Sequence, residues 1–160
     1  MIDLMEAVLG IAAESPLAAL RARRAPARAH AEGAWRELVL PPTPGGLSLP
    51  ERAALALRVA LLEGAAPLAA HYRGLLAEWP AVQAAAECFP AVDDDDRLSL
   101  LLRFADLVAR APGRCDQAAI DALTAAGLST QDIVAATQLI AFVPYQTRLL
   151  AGLRALQAAA

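Results

Sequence analysis

The sequence predicts an all-α protein, and three observations support this prediction. Apolar residues make up 58% of the 160 residues, and most of them are alanine and leucine, which are strong helix formers. Aromatic residues make up only 4% and β-branched residues are scarce, although strands are built mainly from these two types. Capping residues and prolines recur between the apolar segments, and no segment has a convincing strand pattern.

Three helices are predicted in the N-terminal quarter of the chain. The first extends over about residues 2–10. The second begins at Ser15-Pro16, because serine is a preferred N-cap and proline fits the first helical position. Pro26 interrupts that helix, and a third helix extends to about Val39.

A linker at residues 41–47 separates an N-terminal helical segment, residues 1–40, from a helical domain at residues 48–160. The linker carries three prolines and two glycines, which cannot continue a helix. The next helix begins directly after it, because Ser48 and Glu51 match a capping box. We expect the N-terminal helices and the domain to pack as one compact unit.

Glycine and proline then divide the domain into successive helices. The helix that begins after Ser48 ends at Gly64, and the next is predicted for residues 65–79. Pro80 either closes that helix or begins a short one, which Pro90 terminates.

A run of four aspartates, Asp93–Asp96, precedes the most regular apolar stripe in the chain. The stripe has the i, i+3, i+4, i+7 spacing of a buried helix face (Leu98, Leu101, Leu102, Ala105, Val108 and Ala109). After a proline–glycine break, Asp116 can cap a further helix. Ser129 and Asp132 cap a long last helix, in which Pro144 removes one backbone donor and can introduce a kink.

Composition excludes several classes of protein and partner. A net charge of −3 and a pI near 5.3 argue against a nucleic-acid-binding surface. No apolar stretch is long enough to span a membrane, and the first ten residues include no basic residue of a secretory signal. We therefore expect a cytoplasmic protein with reduced cysteines and no membrane partner. A small chain with so many apolar side chains can bury its remaining apolar helix faces in a subunit interface. We therefore predict a homo-oligomer.

Few residues suggest chemistry by themselves. His71 can act as a general base or a metal ligand, but no second ligand lies at i+4, which favours an ordinary helix histidine. Cys88 and Cys115 form no C-x-x-C pair and are expected to be structural. The aspartate run Asp93–Asp96 can bind a hard cation, although complementing a helix N-terminus is the simpler interpretation.

A group of arginines near the N-terminus has two interpretations as well. Arg21, Arg23 and Arg24 can contact a phosphate or an acidic partner, or form a solvated helix face. No nucleotide-binding or nucleophile-elbow motif is present. The residues by themselves predict no metal site and no cofactor.

The central segment adds a resemblance. Residues 47–64, LSLPERAALALRVALLEG, lead into Leu68-Ala69-Ala70-His71 and resemble the core motif of the alkylhydroperoxidase AhpD-like family, also called carboxymuconolactone decarboxylase-like. The run AGLSTQDIV at residues 126–134 is similar to a C-terminal helix of the peroxidase-related members. The resemblance implies a two-lobed, all-helical bundle that assembles into dimers, trimers or hexamers.

Redox members of this family use a glutamate, a C-x-x-C pair and a histidine. One thiolate attacks the peroxide, the second cysteine closes the disulfide, and the glutamate and histidine move protons. When this chain is aligned at Leu47, the two cysteine positions hold Ala65 and Leu68. The glutamate position then holds Ala53, and the histidine position holds Tyr72.

A second alignment, at His71, does not restore the motif. The cysteine positions become Gly64 and Pro67, and the glutamate position becomes Arg52, one residue away from Glu51. Neither alignment supplies a thiol. The resemblance therefore implies an AhpD-like protein without dithiol peroxidase activity at this position.

Three functions follow as hypotheses. The first is a homo-oligomeric AhpD-like protein that has lost the dithiol and serves as a binding or structural relative of the peroxidases. The second is a cofactor-free decarboxylase- or isomerase-type enzyme for a small organic acid. In that enzyme His71 is the acid–base group, and Glu51, Arg58 or Tyr72 orients or neutralises the carboxylate. The third is a helical module that docks a partner through an apolar face.

Overall fold

A computed structural model describes residues 3–90 and 96–159. The described residues form nine α-helices and one short 3-10 turn, without a strand. The helices are α1 (Leu4–Leu9), α2 (Pro16–Ala22), α3 (Ala25–Val39), α4 (Leu49–Leu62), α5 (Ala66–Leu75), α6 (Pro80–Glu87), α7 (Arg97–Arg110), α8 (Gln117–Ala125) and α9 (Thr130–Ala158), and the 3-10 turn is Pro112–Arg114. The all-α prediction is confirmed.

Side-chain caps begin most of the predicted helices. In each case an oxygen of the cap accepts a hydrogen bond from a backbone N–H two or three residues later, and the caps are Asp3, Ser15, Ser48, Asp96, Asp116 and Ser129. Such a cap stabilises a helix by about 1 kcal/mol. Of the aspartate run, Asp96 is the cap of α7, whereas Asp93–Asp95 lie outside the described residues.

Two predicted helix boundaries are wrong. Helix α5 ends at Leu75 instead of continuing to residue 79, and α6 begins separately at Pro80. Proline disfavours helical geometry in the residue before it, and Trp79 has non-helical dihedrals of φ −127° and ψ 64°. Pro26 lies within the first turn of α3, so it belongs to the start of a helix, where its missing N–H has no cost.

Helix α4 lies at the centre of the molecule. Every residue from Arg52 to Ala60 is buried, and α5, α6, α7 and α9 pack around this helix. Full burial of a leucine such as Leu55 or Leu57 stabilises the fold by about 1.5–3 kcal/mol. Buried residues of α1 and α2, including Leu4 and Leu17, belong to the same core.

The last helix is the longest in the described part of the chain. Helix α9 has 29 residues and continues through Pro144. No single helix among the described residues has the length and hydropathy to cross a membrane. Helices α8 and α9 meet these criteria only when they are counted together, and a bend of 119° separates them.

The linker between α3 and α4 is held by a buried arginine. Arg52 donates hydrogen bonds to the carbonyl oxygens of Leu38, Pro44 and Leu47 at 2.8–2.9 Å. Leu38 lies at the end of α3, and Pro44 and Leu47 lie in the linker, so helical hydrogen bonds do not use these carbonyls. The guanidinium group of Arg52 therefore supplies their hydrogen-bond donors.

A second set of contacts joins the linker to α4, α7 and α9. We call Gly46, Ser48, Glu51, Arg97 and Asp132 the linker anchor. Arg97 donates to Glu51 Oε1 at 2.6 Å and to the Gly46 carbonyl, and the Gly46 N–H donates to Asp132 Oδ1 at 3.0 Å. A Cβ added to Gly46 would lie 3.0 Å from Asp132 Cγ and closer still to Oδ2, so a side chain here would force the linker or the Asp132 carboxylate to shift.

Candidate functional site

His71 lies on α5 against two aromatic rings. Its ring centroid is 5.8 Å from that of Trp35 and 5.3 Å from that of Tyr72. The Nε2 atom of His71 and the Nε1 atom of Trp35 are buried, and neither has a hydrogen-bond partner within residues 3–90 and 96–159. Burial lowers the pKa of His71 below its ordinary value of 6.5, so the imidazole is neutral at pH 7.

Tyr72 connects this position to α9. Its hydroxyl is fully buried and donates a hydrogen bond to Gln146 Oε1 at 2.6 Å. Burial raises the pKa of Tyr72 far above its ordinary value of 10, although the hydrogen bond with Gln146 opposes the rise. Tyr72 is therefore a neutral phenol at physiological pH. We call Trp35, His71, Tyr72 and Gln146 the aromatic cluster.

Glu51 belongs to the linker anchor. Its carboxylate accepts from the backbone N–H and hydroxyl of Ser48 at 2.8 and 2.7 Å, and from Arg97 at 2.6 Å. Burial raises the pKa of Glu51, but the hydrogen bonds from Arg97 and Ser48 outweigh burial and lower the pKa below 4.5. Glu51 is thus an ionised carboxylate whose acceptor positions are in use.

Arg58 is fully buried and joins three elements. Its Nε and one terminal nitrogen donate to the two carboxylate oxygens of Asp106 on α7, both at 2.6 Å. Its other terminal nitrogen donates to the carbonyls of Ala86 and Cys88 at the end of α6. The guanidinium carbon lies 3.5 Å from the ring centroid of Phe89, a cation–π contact.

The structure brings two of the four predicted site residues together. His71 and Tyr72 are in ring contact, whereas Glu51 and Arg58 bind Arg97 and Asp106. Within the described part of the chain, no hydrogen bond or ion pair joins Glu51 or Arg58 to His71. The catalytic roles suggested for these four residues stay predictions.

Sequence reasoning did not include two members of the aromatic cluster among the site residues. Trp35 lies on α3 and Gln146 on α9, so they are far from His71 along the chain. No motif links these positions, and only the tertiary fold brings side chains of α3 and α9 into contact with α5.

In one of the two alignments, the positions of the redox motif are buried in the core. In the alignment at Leu47, the cysteine positions are occupied by the buried side chains of Ala65 and Leu68, and Ala53 and Tyr72 are buried as well. In the alignment at His71, the cysteine positions hold Gly64 and Pro67. These side chains carry no nucleophilic sulfur.

The two cysteines lie elsewhere and are both free. Cys88 is exposed at the end of α6, and Cys115 is half-buried after the 3-10 turn. The Cys88 thiol lies 3.7 Å from the carbonyl oxygen of Pro90. Across the described ranges, no three histidine, cysteine, aspartate or glutamate side chains form a group that could hold a metal ion.

Comparison with known proteins identifies the fold. No protein-family model and no curated protein matches the chain. Among solved structures, an uncharacterized peroxidase-related protein from Silicibacter sp. TM1040 is similar, with a TM-score of 0.68 and 18% identity over 78% of this chain and 66% of that one. An AhpD-core, peroxidase-related protein from Ralstonia eutropha JMP134 has a TM-score of 0.68 and 20% identity.

The chain has an AhpD-like fold. The match to the Ralstonia protein covers 80% of this chain and 68% of that one. The chain therefore spans about two thirds of the length of both neighbours. The resemblance stated from the sequence is confirmed at the level of the fold, and the low identity carries no activity over to this protein.

Proposed function

We propose that this protein is an AhpD-like homo-oligomer without thiol peroxidase activity, which serves as a binding or structural relative of the redox members. The observation that carries the proposal is the closed motif position, where Ala65 and Leu68 pack in the core. Peroxide reduction by a dithiol needs one sulfur to attack and a second to resolve. Neither aligned position supplies one.

A peroxidase assay tests this proposal directly. The protein is supplied with an alkyl hydroperoxide and dithiothreitol, and peroxide consumption is compared with that of a Cys88→Ser/Cys115→Ser double variant. We expect both proteins to match the protein-free rate. Turnover well above that rate, abolished in the double variant, would overturn the proposal because it would place redox chemistry at a different thiol.

The outer face of α9 supports the homo-oligomer. Ile133, Leu139 and Ile140 are buried against the core, yet Val134 on the other side of the helix is 51% exposed. An exposed apolar side chain that continues into an apolar surface cavity favours contact with a partner surface. Val134 also lines a surface cavity of about 370 Å³ between α8 and α9, together with Ile120 and other apolar and threonine side chains.

Light scattering after size-exclusion chromatography tests the oligomer. We expect a dimer or larger assembly at micromolar concentration, and partial or complete dissociation in Val134→Glu. Gln131→Glu, on the first turn of the same helix and exposed, is the matched control and leaves the mass unchanged. A wild-type mass of one chain, 16.7 kDa, would contradict the proposal.

A second candidate function is a cofactor-free enzyme for a small organic acid. It is favoured by one observation, the buried Nε2 atom of the neutral His71, which has no partner among the described residues. A neutral imidazole can accept a proton from a substrate. A set of lactone carboxylic acids is the probe, and we expect any turnover to be lost in His71→Gln. Turnover that His71→Gln leaves unchanged would eliminate this candidate.

A further inference from the structure

An apolar groove lies on the surface between α2, α3 and the C-terminal half of α9. Its volume is about 310 Å³, and its large apolar lining residues are Leu17, Leu20, Tyr145, Leu149, Leu153 and Leu156. Leu20, Tyr145 and Leu156 are 46–50% exposed. Scattered apolar residues are normal on a protein surface, but a continuous apolar groove marks a binding site.

Three arginines border the groove, and two of them are neutralised. Arg21 is buried and donates to both carboxylate oxygens of Asp3 at 2.9 and 3.2 Å. Arg28 pairs with Glu6 at 3.1 Å. Arg24, the N-cap residue of α3, is exposed and has no ion-pair partner within the described ranges. The groove is therefore apolar along its length, with one uncompensated positive charge at its edge.

We propose that this groove binds an amphipathic monoanion, a carboxylate with an unbranched hydrocarbon chain. The carboxylate lies at Arg24 and the chain follows Leu20 and Leu156 between α2 and α9. The volume matches the lower end of the roughly 300–1,000 Å³ range of small-molecule sites. This inference names a ligand class for the binding role proposed above and rests on that role, but it does not depend on the absence of peroxidase activity.

Charge complementarity selects this occupant over an uncharged one. The planar guanidinium group of Arg24 can form an ion pair with a carboxylate, whereas a neutral alcohol of equal chain length cannot. The leucines supply the chain-length dependence, because each methylene that leaves water tightens binding by about fourfold. Affinity should therefore rise with chain length and level off once the groove is filled.

Calorimetric titration of the full chain with hexanoate, octanoate and decanoate, each below its micelle concentration, tests the proposal. We expect saturable binding that tightens by about fourfold per methylene, and weaker binding of decan-1-ol than of decanoate. Arg24→Gln should weaken decanoate by about fivefold and leave decan-1-ol unchanged. Arg23→Gln is the matched control, since Arg23 is exposed but does not line the groove, and it should have no effect.

A second pair of variants tests the apolar part. Leu20→Glu should abolish binding of decanoate and decan-1-ol alike. Ala19→Glu, exposed on the same helix but outside the groove, should leave both unchanged. Both positions are at the surface, and an unchanged circular-dichroism melt confirms that the variants fold.

Three results would overturn the inference. The first is absence of saturable decanoate binding. The second is dissociation of an oligomer by Leu20→Glu without decanoate binding, which would assign the groove to a second copy of the chain. The third is binding to phosphatidylglycerol vesicles without binding of free decanoate, which would assign it to a membrane surface. None of these results restores peroxidase activity, so a failure here is distinguishable from failure of the proposed function.

Discussion

The linker anchor and the aromatic cluster differ in how their polar atoms are satisfied. In the anchor, the carboxylates of Glu51 and Asp132 accept hydrogen bonds from Ser48, Ser129, Arg97 and the backbone of Gly46. In the aromatic cluster, one hydrogen bond joins Tyr72 to Gln146, and the buried side-chain nitrogens of Trp35 and His71 are without a partner in the described part of the chain.

This difference indicates a structural role for the linker anchor and leaves hydrogen-bonding capacity in the aromatic cluster. A saturated set of charged groups holds its elements rigidly and has no acceptor or donor to offer a ligand. An unsatisfied buried nitrogen carries an energetic cost, and it keeps the capacity for one further hydrogen bond. Substitutions in the anchor should therefore change stability most, and substitutions in the aromatic cluster should change stability less.

The largest effect is expected for Arg97→Ala. The substitution removes hydrogen bonds to Glu51 and to the carbonyls of Gly46 and Ala126, and it leaves a half-buried carboxylate without its cation. We expect the free energy of unfolding to fall by about 3 kcal/mol, measured by urea denaturation. Arg110→Ala on the exposed end of the same helix is the control, with a change within about 0.5 kcal/mol. Equal losses in the two variants would contradict an anchoring role.

A slightly smaller loss is expected for Gly46→Ala. The added methyl group collides with the Asp132 carboxylate, so either the loop or the side chain must shift, at a cost of about 1–3 kcal/mol. Gly152→Ala is the matched control with the opposite sign. Gly152 lies inside α9 with open space around a Cβ, and alanine there should stabilise by up to about 1 kcal/mol. If Gly46→Ala were neutral, the close approach of the linker to α9 would be unimportant.

In the aromatic cluster, Tyr72→Phe should destabilise the protein by about 1–2 kcal/mol. The substitution removes the hydroxyl that donates to the buried Oε1 atom of Gln146. A buried acceptor without a donor lowers the free energy of unfolding by about 1–3 kcal/mol. Tyr145→Phe, at an exposed tyrosine on α9, provides the comparison and should be neutral in a thermal melt. A loss above that of Arg97→Ala would reverse the ranking of the two regions.

The smallest effect is a pH dependence that originates at His71. Its pKa in the folded protein is below the unfolded value of 6.5, so the unfolded chain binds more protons as the pH falls below 6.5. Stability should decline from that pH downward, and His71→Gln should remove this part of the decline. Urea unfolding at pH 7.5, 6.5 and 5.5 measures it. A pH profile that His71→Gln does not alter in this range would disprove the burial of a neutral imidazole.

The linker anchor affects stability in a lower pH range than His71. The pKa values of Glu51 and Asp132 are below 4.5 and 3.8, and in both groups hydrogen bonds outweigh burial. Their stabilisation is complete above these ordinary values and is lost as the pH falls through the lowered values. His71→Gln should therefore leave the acid limb below about pH 4 unchanged, which separates the two regions in one titration.

Local features of the fold were predictable from sequence, and long-range contacts were not. The caps at Ser48 and Ser129 depend on residues three positions apart, so the pattern is visible in the chain itself. The predicted end of α5 is wrong because residues 76–79 are compatible with a helix locally, and Pro80 directly restricts only Trp79.

The candidate site shows the same limit. His71 and Tyr72 are neighbours in sequence, so their ring contact was within reach of sequence reasoning. The partners of Glu51 and Arg58 are 46 and 48 residues away, and no local pattern indicates that these groups are engaged in ion pairs. Their use in holding helices together became visible only in the packed structure.

The sequence by itself determined the helical class, the caps, the break between α3 and α4, and the absence of thiols at the aligned motif positions. All of these depend on residue type and short spacing. Only the tertiary structure decided which polar groups are satisfied, that Arg97 and Asp132 hold the linker, and that an apolar groove with the unpaired Arg24 remains open between α2 and α9. The physical reason is that hydrogen bonding and burial depend on distance in space, which short sequence spacing does not contain.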